Sequence, residues 1–417
     1  MTETERYDVV VIGGDLPGAM AAALLAARGV RVQLLDTPAS NSECDAPLVG
    51  LFTAPTAKRL IETLGVGPAL RSKVSGPAVG ITVALPDRRF VLPPAEPDRR
   101  ECLGQMFPES PDELRRLLTV IEAHGAALDP VLSGECMLVE NTYRNRRAWR
   151  RHLEGHVIPP DGIAARVPNT PALRQLVDAL LGFVGFAPVT GETLSPAAAR
   201  ALWHVFHGVI PYRDGRAGFR RLFLERIRQG GGTVTVSAPV ESLVSKWRRA
   251  RAVVLADGTR VEGRCFLFDA EPVLQRVGPE QPTGGTDTFQ QLRVHGPMEE
   301  RPDGLRDPCA WLPNAQGPGC RIRVDADGLD LRWRGSAAPP AVDTLSPLGT
   351  LRLDTPTSTL GPDCAAMDPY GVYRRPLVGP LKNIGVLGEW IAPGLGLETA
   401  CLTAWHAAEL GARFGRP

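Results

Sequence analysis

A chain of 417 residues is longer than one hydrophobic core ordinarily supports, and 43% hydrophobic residues are enough to fill two. Its 47 Lys and Arg against 46 Asp and Glu leave a formal charge of +1, so no global field gathers nucleic acid or an anionic membrane, and any such contact must be local. The eight cysteines stand singly, without a Cys-x-x-Cys pair, which argues against a zinc site and a disulfide framework alike. No apolar run approaches the roughly 18 residues that span a bilayer, and a polar start running straight into a strand points to a cytoplasmic, reduced protein.

The first 36 residues read as strand, glycine turn, helix and strand. Val9 to Ile12 suit a buried parallel strand, Gly13-Gly14-Asp15-Leu16-Pro17-Gly18 a tight turn, Ala19 to Arg28 a packed helix, and Asp36 ends the next strand about twenty residues past the turn. This is a dinucleotide-binding unit with one departure, Asp15 where glycine is expected. A carboxylate about 5 Å from one phosphate charge, at an effective dielectric of ~20, costs ~3 kcal/mol, or ~100-fold in affinity, unless it turns outward or protonates.

A helix over 56–64 follows, then a hairpin over 80–93 around Pro86-Asp87. Ser110-Pro111-Asp112-Glu113 opens an amphipathic helix to about His124 with Ser110 as its cap, and helical periodicity recurs over 140–154, 170–184 and 195–207. A helix over 217–229, Gly230-Gly231-Gly232, a strand over 233–236, strands around Val240 and Val253, the turn Asp257-Gly258 and a strand over 265–268 return to nucleotide-domain texture. A Pro- and Gly-rich segment to about residue 288 leads to strands over 291–295, 320–324 and 329–333. A buried strand over 384–388 then passes through Pro393-Gly394-Leu395-Gly396 into a terminal helix from about Glu398.

The N-terminal turn, the stretch Leu85-Pro86-Asp87 through Phe107-Pro108, Gly230 through Val240, and above all Asn383 through Leu397 together resemble the phytoene desaturase, protoporphyrinogen oxidase and amine oxidase superfamily of flavoproteins, and within it the phytoene desaturase branch. The resemblance implies an α/β fold, a Rossmann-like FAD-binding domain from residues 1–72, 205–280 and 365–417 with an interleaved α+β substrate domain from 73–204 and 281–364. It implies that Gly13, Gly14, Asp15 and Gly18 face the FAD pyrophosphate and that Asp36 accepts from the adenosine ribose. Val240 meets the adenine through its backbone, Gly388-Glu389 holds the ribitol, and Gly396-Leu397 leads to the helix whose start faces the flavin. The implied reaction is oxidoreduction, or redox-neutral isomerisation, of a hydrophobic polyene-like substrate, with FAD carrying the chemistry.

The departures keep a second reading open. After Asp36 the family carries a basic residue and a glycine pair, and here stands Thr37 through Cys44; Thr399 and Thr403 replace small residues. A flavin-free relative that binds a protein partner or an apolar ligand, as Rab GDP-dissociation inhibitors do, stands beside the enzyme. No catalytic residue is assigned: none of Lys58, Lys73, Lys246 and Lys382, the only lysines, falls where the amine oxidase branch places one. The pairs His204/His207 and His152/His156 have one-turn spacing but read as core or cleft histidines before metal ligands. The helix Arg144 to Arg151, rich in arginine, reads as a solvated face or as a peripheral contact with an anionic membrane. No nucleic-acid motif and no metal site are expected.

Overall fold

A computed structural model describes residues 6–36, 48–133, 165–184, 193–269, 381–388 and 395–415, together with Arg147, Arg151 and the strands that lie between residues 288 and 360. Strand alternation in β1 (Arg6–Ile12) sends Val9 and Val11 into one core and Val10 and Ile12 into another, all four without solvent exposure, which is why the strand reads as a continuous apolar run. β2 (Val32–Asp36) pairs with it in parallel.

Pro-initiated helices then follow: α2 (Pro55–Leu64) and α3 (Gly67–Lys73), behind α1 (Leu16–Ala27). The expected hairpin is present as β3 (Ile81–Ala84) and β4 (Arg89–Leu92), and α4 (Glu96–Met106), α5 (Pro111–Ala127) and α6 (Asp129–Ser133) succeed it. Next come β5 (Ala165–Arg166), α7 (Pro171–Phe183), β6 (Thr193–Leu194) and α8 (Pro196–Phe206). Ser195 caps α8 by accepting from the Ala198 amide, whereas Ser110, the expected cap of α5, makes no such bond: its hydroxyl meets that of Thr170 at 2.9 Å, tying the starts of α5 and α7 together.

α9 (Gly215–Gln229) precedes β7 (Thr233–Val236), β8 (Val240–Lys246), β9 (Arg249–Leu255) and β10 (Arg260–Phe268). β11 (Thr288–His295), β12 (Cys309–Trp311), β13 (Cys320–Asp325), β14 (Gly328–Arg334), β15 (Arg352–Leu353) and β16 (Thr357–Leu360) follow, and the chain closes with β17 (Ile384–Val386) and α10 (Leu397–Gly415).

Two large sheets result. The first has the order β7-β2-β1-β10-β9-β8 with β17 also on β10. Its parallel centre is β7, β2, β1, β10 and β17, and only the first residues of β10 turn to an antiparallel pairing with β9. Helices α1, α9 and α10 cover one face of it, and the Ala-rich α1 is buried along Leu16 to Ala26. The second sheet runs β15-β11-β14-β13-β12-β3-β4 with β16 on β11. It is antiparallel except where β12 joins β3, so segments more than 200 residues apart in sequence share one sheet. This is the α/β, Rossmann-like architecture expected of the sequence.

One hairpin stands out energetically. β8 and β9 are joined by Trp247-Arg248, both at φ 59°, the turn that Asn-Gly normally fills, at a cost of about 1–2 kcal/mol per non-glycine residue. The expected 140–154 helix lies outside the described residues except for exposed Arg147 and Arg151, and so the peripheral contact through Arg144 to Arg151 rests on sequence alone.

Candidate functional site

The glycine turn sits where parallel β1 feeds α1. Gly13 adopts φ 92° and donates its amide to the Leu35 carbonyl, a backbone conformation that favours glycine. Gly14 has no room for a Cβ, which would collide with the Asp36 carboxylate, and a Cβ on Gly18 would come within 2.7 Å of the Gly13 carbonyl. Asp15 is the cap of α1: it sits in extended backbone and its Oδ1 accepts from the Leu16 amide at 2.7 Å.

Two arginines from α9 reach this turn. Arg216 and Arg220 are one helical turn apart, so both project from the same side of the helix. Arg216 brings Nη2 to 3.8 Å from Asp15 Oδ2. Arg220 donates through Nε to the Gly14 carbonyl and places Nη2 2.6 Å from Asp36 Oδ2. That last ion pair is close but poorly angled, so Arg220 Nη2 is buried without an aligned hydrogen-bond acceptor among the described residues.

A third carboxylate, Asp269, follows directly on β10 and accepts from the Gly18 amide at 2.7 Å. Asp269 escaped the sequence reading; its only signal was an acid immediately after an apolar strand. Val240 is buried at the start of β8, and the preceding loop passes Asp36 through the Ser237 amide, which donates to the Asp36 carbonyl.

The other end of the site lies where β17 runs into α10. Gly388 has φ 130° and its amide donates to the Thr403 hydroxyl at 3.4 Å, while that hydroxyl donates to the Thr399 carbonyl. Thr403, one of the two threonines that depart from the family pattern, thus ties the strand end to the helix. Gly396, at φ 55°, turns the chain into α10, Leu397 is buried, and Glu389 lies outside the described residues.

Glu398, at the expected start of the terminal helix, is fully buried. Arg200 of α8 grips it with Nε at 2.9 Å and Nη2 at 3.0 Å, and His204 Nε2 meets it at 2.8 Å. Arg200 also pairs with Asp129 at 2.6 Å. Burial pushes the Glu398 carboxyl up, but the neighbouring positive charge outweighs it and holds the group down at about 2. Burial likewise lowers His204, which is therefore neutral at pH 7, leaving Arg200 as the charge that keeps Glu398 ionised.

An ionised Glu398 fixes the His204 proton on Nε2, so Nδ1 accepts from the Thr53 hydroxyl 2.9 Å away. Thr53, His204 and Glu398 form a hydroxyl–imidazole–carboxylate chain whose outer end is partly exposed. It can take or return a proton at Thr53 Oγ1. It is poorly built for acyl transfer, because the Thr53 and Ala54 amides both donate to the Gly50 carbonyl and are not free to hold an oxyanion. His207 instead bonds the Trp203 carbonyl, and no metal-binding cluster occurs among the described residues. The pair His152/His156 lies outside them.

Residues 6–114 match the FAD binding domain family. Among solved structures, an oxidoreductase from Methanosarcina mazei aligns over 97% of this chain and 100% of its own with a TM-score of 0.56 and 12% identity. A geranylgeranyl bacteriochlorophyll reductase-like protein from Thermoplasma acidophilum aligns over 98% and 78%, with a TM-score of 0.50 and 11% identity, and a putrescine oxidase variant over 98% and 99%, with 0.54 and 13%. These likenesses show the fold. No curated protein matches the sequence.

The FAD binding domain match on this fold supports FAD as the cofactor. The residues present fit it. Gly13 and Gly14 carry no side chain where Asp269, Asp36 and Arg220 crowd the turn, and Arg220 Nη2, buried without an aligned hydrogen bond among the described residues, is a donor available beside it. Asp15, expected to repel a diphosphate, accepts from the Leu16 amide at 2.7 Å and has Arg216 Nη2 3.8 Å away, which offsets part of its charge. The sequence just after Asp36 carries no basic residue, and Arg220 from α9 brings a cation to Asp36 instead.

Proposed function

We propose that this protein is an FAD-dependent oxidoreductase or redox-neutral isomerase of phytoene-desaturase type, acting on a hydrophobic, polyene-like substrate. The observation that carries the cofactor is the β1–turn–α1 unit with Asp36 at the end of β2 and Arg220 on both. For the substrate class, the support is the family resemblance of residues 383–397 and the name of one fold neighbour, a geranylgeranyl reductase-like protein.

Bound FAD would accept or return a hydride. Gly13, Gly14, Asp36, Val240, Gly388, Gly396, Leu397 and Arg220 are the described residues that would hold it, and Arg220 and Arg216 offset the carboxylates of Asp15, Asp36 and Asp269 beside a diphosphate. At the other end, Thr53 exchanges a proton with neutral His204, whose orientation Glu398 and Arg200 fix.

Purified protein titrated with FAD should take it up saturably and show a bound-flavin spectrum, and Asp36→Ala should weaken uptake by about tenfold or more, the loss of charge-assisted hydrogen bonds to a ribose. A protein that takes up no flavin at high FAD overturns the reading. One observation favours the flavin-free alternative, a carrier of an apolar ligand or protein partner: the Arg220 ion pair with Asp36 and the Asp269 bond to Gly18 already fill the turn from within. Absence of flavin uptake with retention of a stoichiometric partner or ligand is its signature.

A further inference from the structure

The strained tip of the β8–β9 hairpin lies at the end of β8 away from Val240, outside the candidate cofactor site. Its two-residue turn places Trp247 with 83% of its surface exposed and Arg248 beside it, both in the left-handed region that favours Asn and Gly. Lys246 and Arg249 are directly opposed across the strands, a like-charge pairing that weakens a hairpin. A sequence selected for folding alone would avoid all three choices.

Behind the tip, a surface groove of about 680 Å³ is lined, among the described residues, by Arg6, Lys246, Trp247, Arg249, Arg251 and Arg260 with one carboxylate, Glu262. Glu262 is engaged by Arg260 at 3.1 Å, and among the described residues Arg6, Lys246, Arg249 and Arg251 form no ion pair. Exposed Lys382 adds to the cluster, since its amide donates to the Arg248 carbonyl. On a chain of net charge +1 this is a concentrated local field.

The tip is also rigidly based. Buried Asn383 bonds both the amide and the carbonyl of Ala250 at 2.8 Å, and the Arg264 carbonyl at 2.7 Å, anchoring the foot of β9 to β10 and β17. The exposed residues are thus held out on a firm support.

We propose that this hairpin and groove dock on an anionic phospholipid surface, with Trp247 entering the interfacial layer and Lys246, Arg248, Arg249, Arg251 and Arg6 meeting lipid phosphates. Tryptophan is the side chain that settles at the boundary of headgroup and acyl chain, and flanking cations supply the attraction. A single-stranded nucleic acid is the less suitable polyanion, because successive bases stack on several aromatics and Trp247 is the one aromatic of the groove lining among the described residues. The inference is independent of flavin binding.

Flotation of the full chain with equimolar phosphatidylglycerol/phosphatidylcholine vesicles tests it. Binding should be strong on these, weak on pure phosphatidylcholine, and lost at roughly 1 M salt, where the Debye length is about 3 Å. Arg249→Gln/Arg251→Gln should lower vesicle affinity roughly 25-fold, at about fivefold per cation. Trp247→Asn should lower affinity by about tenfold while leaving thermal stability unchanged or raised, since Asn suits the turn. A tryptophan kept for structural reasons would give the opposite stability result. Equal binding to neutral vesicles, binding to neither kind, wild-type affinity in both variants, or tighter binding to a labelled single-stranded oligonucleotide than to the vesicles would overturn the proposal.

Discussion

The two ends of the candidate site use the same chemistry, arginine against carboxylate, and differ in enclosure. At the glycine turn Asp15 keeps 25% of its side chain exposed, its partner is 3.8 Å away, and the Arg220 pair with Asp36 is misaligned, so these contacts can be exchanged for a ligand's. At Glu398 the pair with Arg200 is bidentate and both side chains are fully enclosed, so exchange would strand a charge in the interior. An open pair serves recognition, whereas a sealed pair fixes geometry, here the tautomer of His204 and the docking of α8 on α10.

Breaking the sealed end should have the largest effect. Glu398→Gln, or Arg200→Met, leaves one buried charge without its partner and should cost about 3–5 kcal/mol in chemical denaturation, while flavin-independent secondary structure is retained at low temperature. The pH dependence should follow. Glu398 has a depressed carboxyl, so its contribution is complete above its ordinary value of 4.5 and is lost as pH falls toward about 2, a total of about 3 kcal/mol. His406, which burial pushes down to about 3, acts in the same direction: it must stay neutral in the fold, so stability drops below about pH 6.5, by about 2 kcal/mol at pH 5. Denaturation midpoints measured from pH 7 to pH 2 should fall steadily, and in Glu398→Gln the step below pH 4.5 should shrink.

At the open end, the expected effects are on affinity and not on folding. Arg220→Ala should weaken FAD binding by about tenfold or more, because it removes one of the two arginines that offset the carboxylates of Asp15, Asp36 and Asp269 at the turn. Asp15→Gly should strengthen binding by less than the ~100-fold that an isolated carboxylate would cost, since the carboxylate is already held by the Leu16 amide. If Arg220→Ala tightens binding instead, the arginine is a plug and the flavin-free reading gains. The smallest effect should come from Ser195→Ala, about 1 kcal/mol in thermal stability from the lost α8 cap. Ser110→Ala should cost its bond to Thr170 and no cap.

Much of the fold was legible in the chain. Val9 to Ile12, the turn at Gly13 and the run at Ile384 are local signals, and the strands and helices they announce are where they were expected. The turn residues of the site were legible for the same reason: glycine is demanded by local backbone and close approach. Asp269, Arg216, Arg220 and the Arg200–Glu398–His204 chain were not, because each acts through a partner about 195 to 250 residues away, and no spacing rule connects them. Ser110 shows the converse, a local signal overridden when a tertiary neighbour, Thr170, offered its hydroxyl.

The sequence by itself therefore determined the parallel-sheet nucleotide fold and the position of its turn, since alternation, glycine and helix starts are properties of short windows. Only the tertiary structure decided what Asp15 does. Its consequence depends on whether a cation lies within a few ångströms, and that cation, Arg216, arrives from another helix by packing.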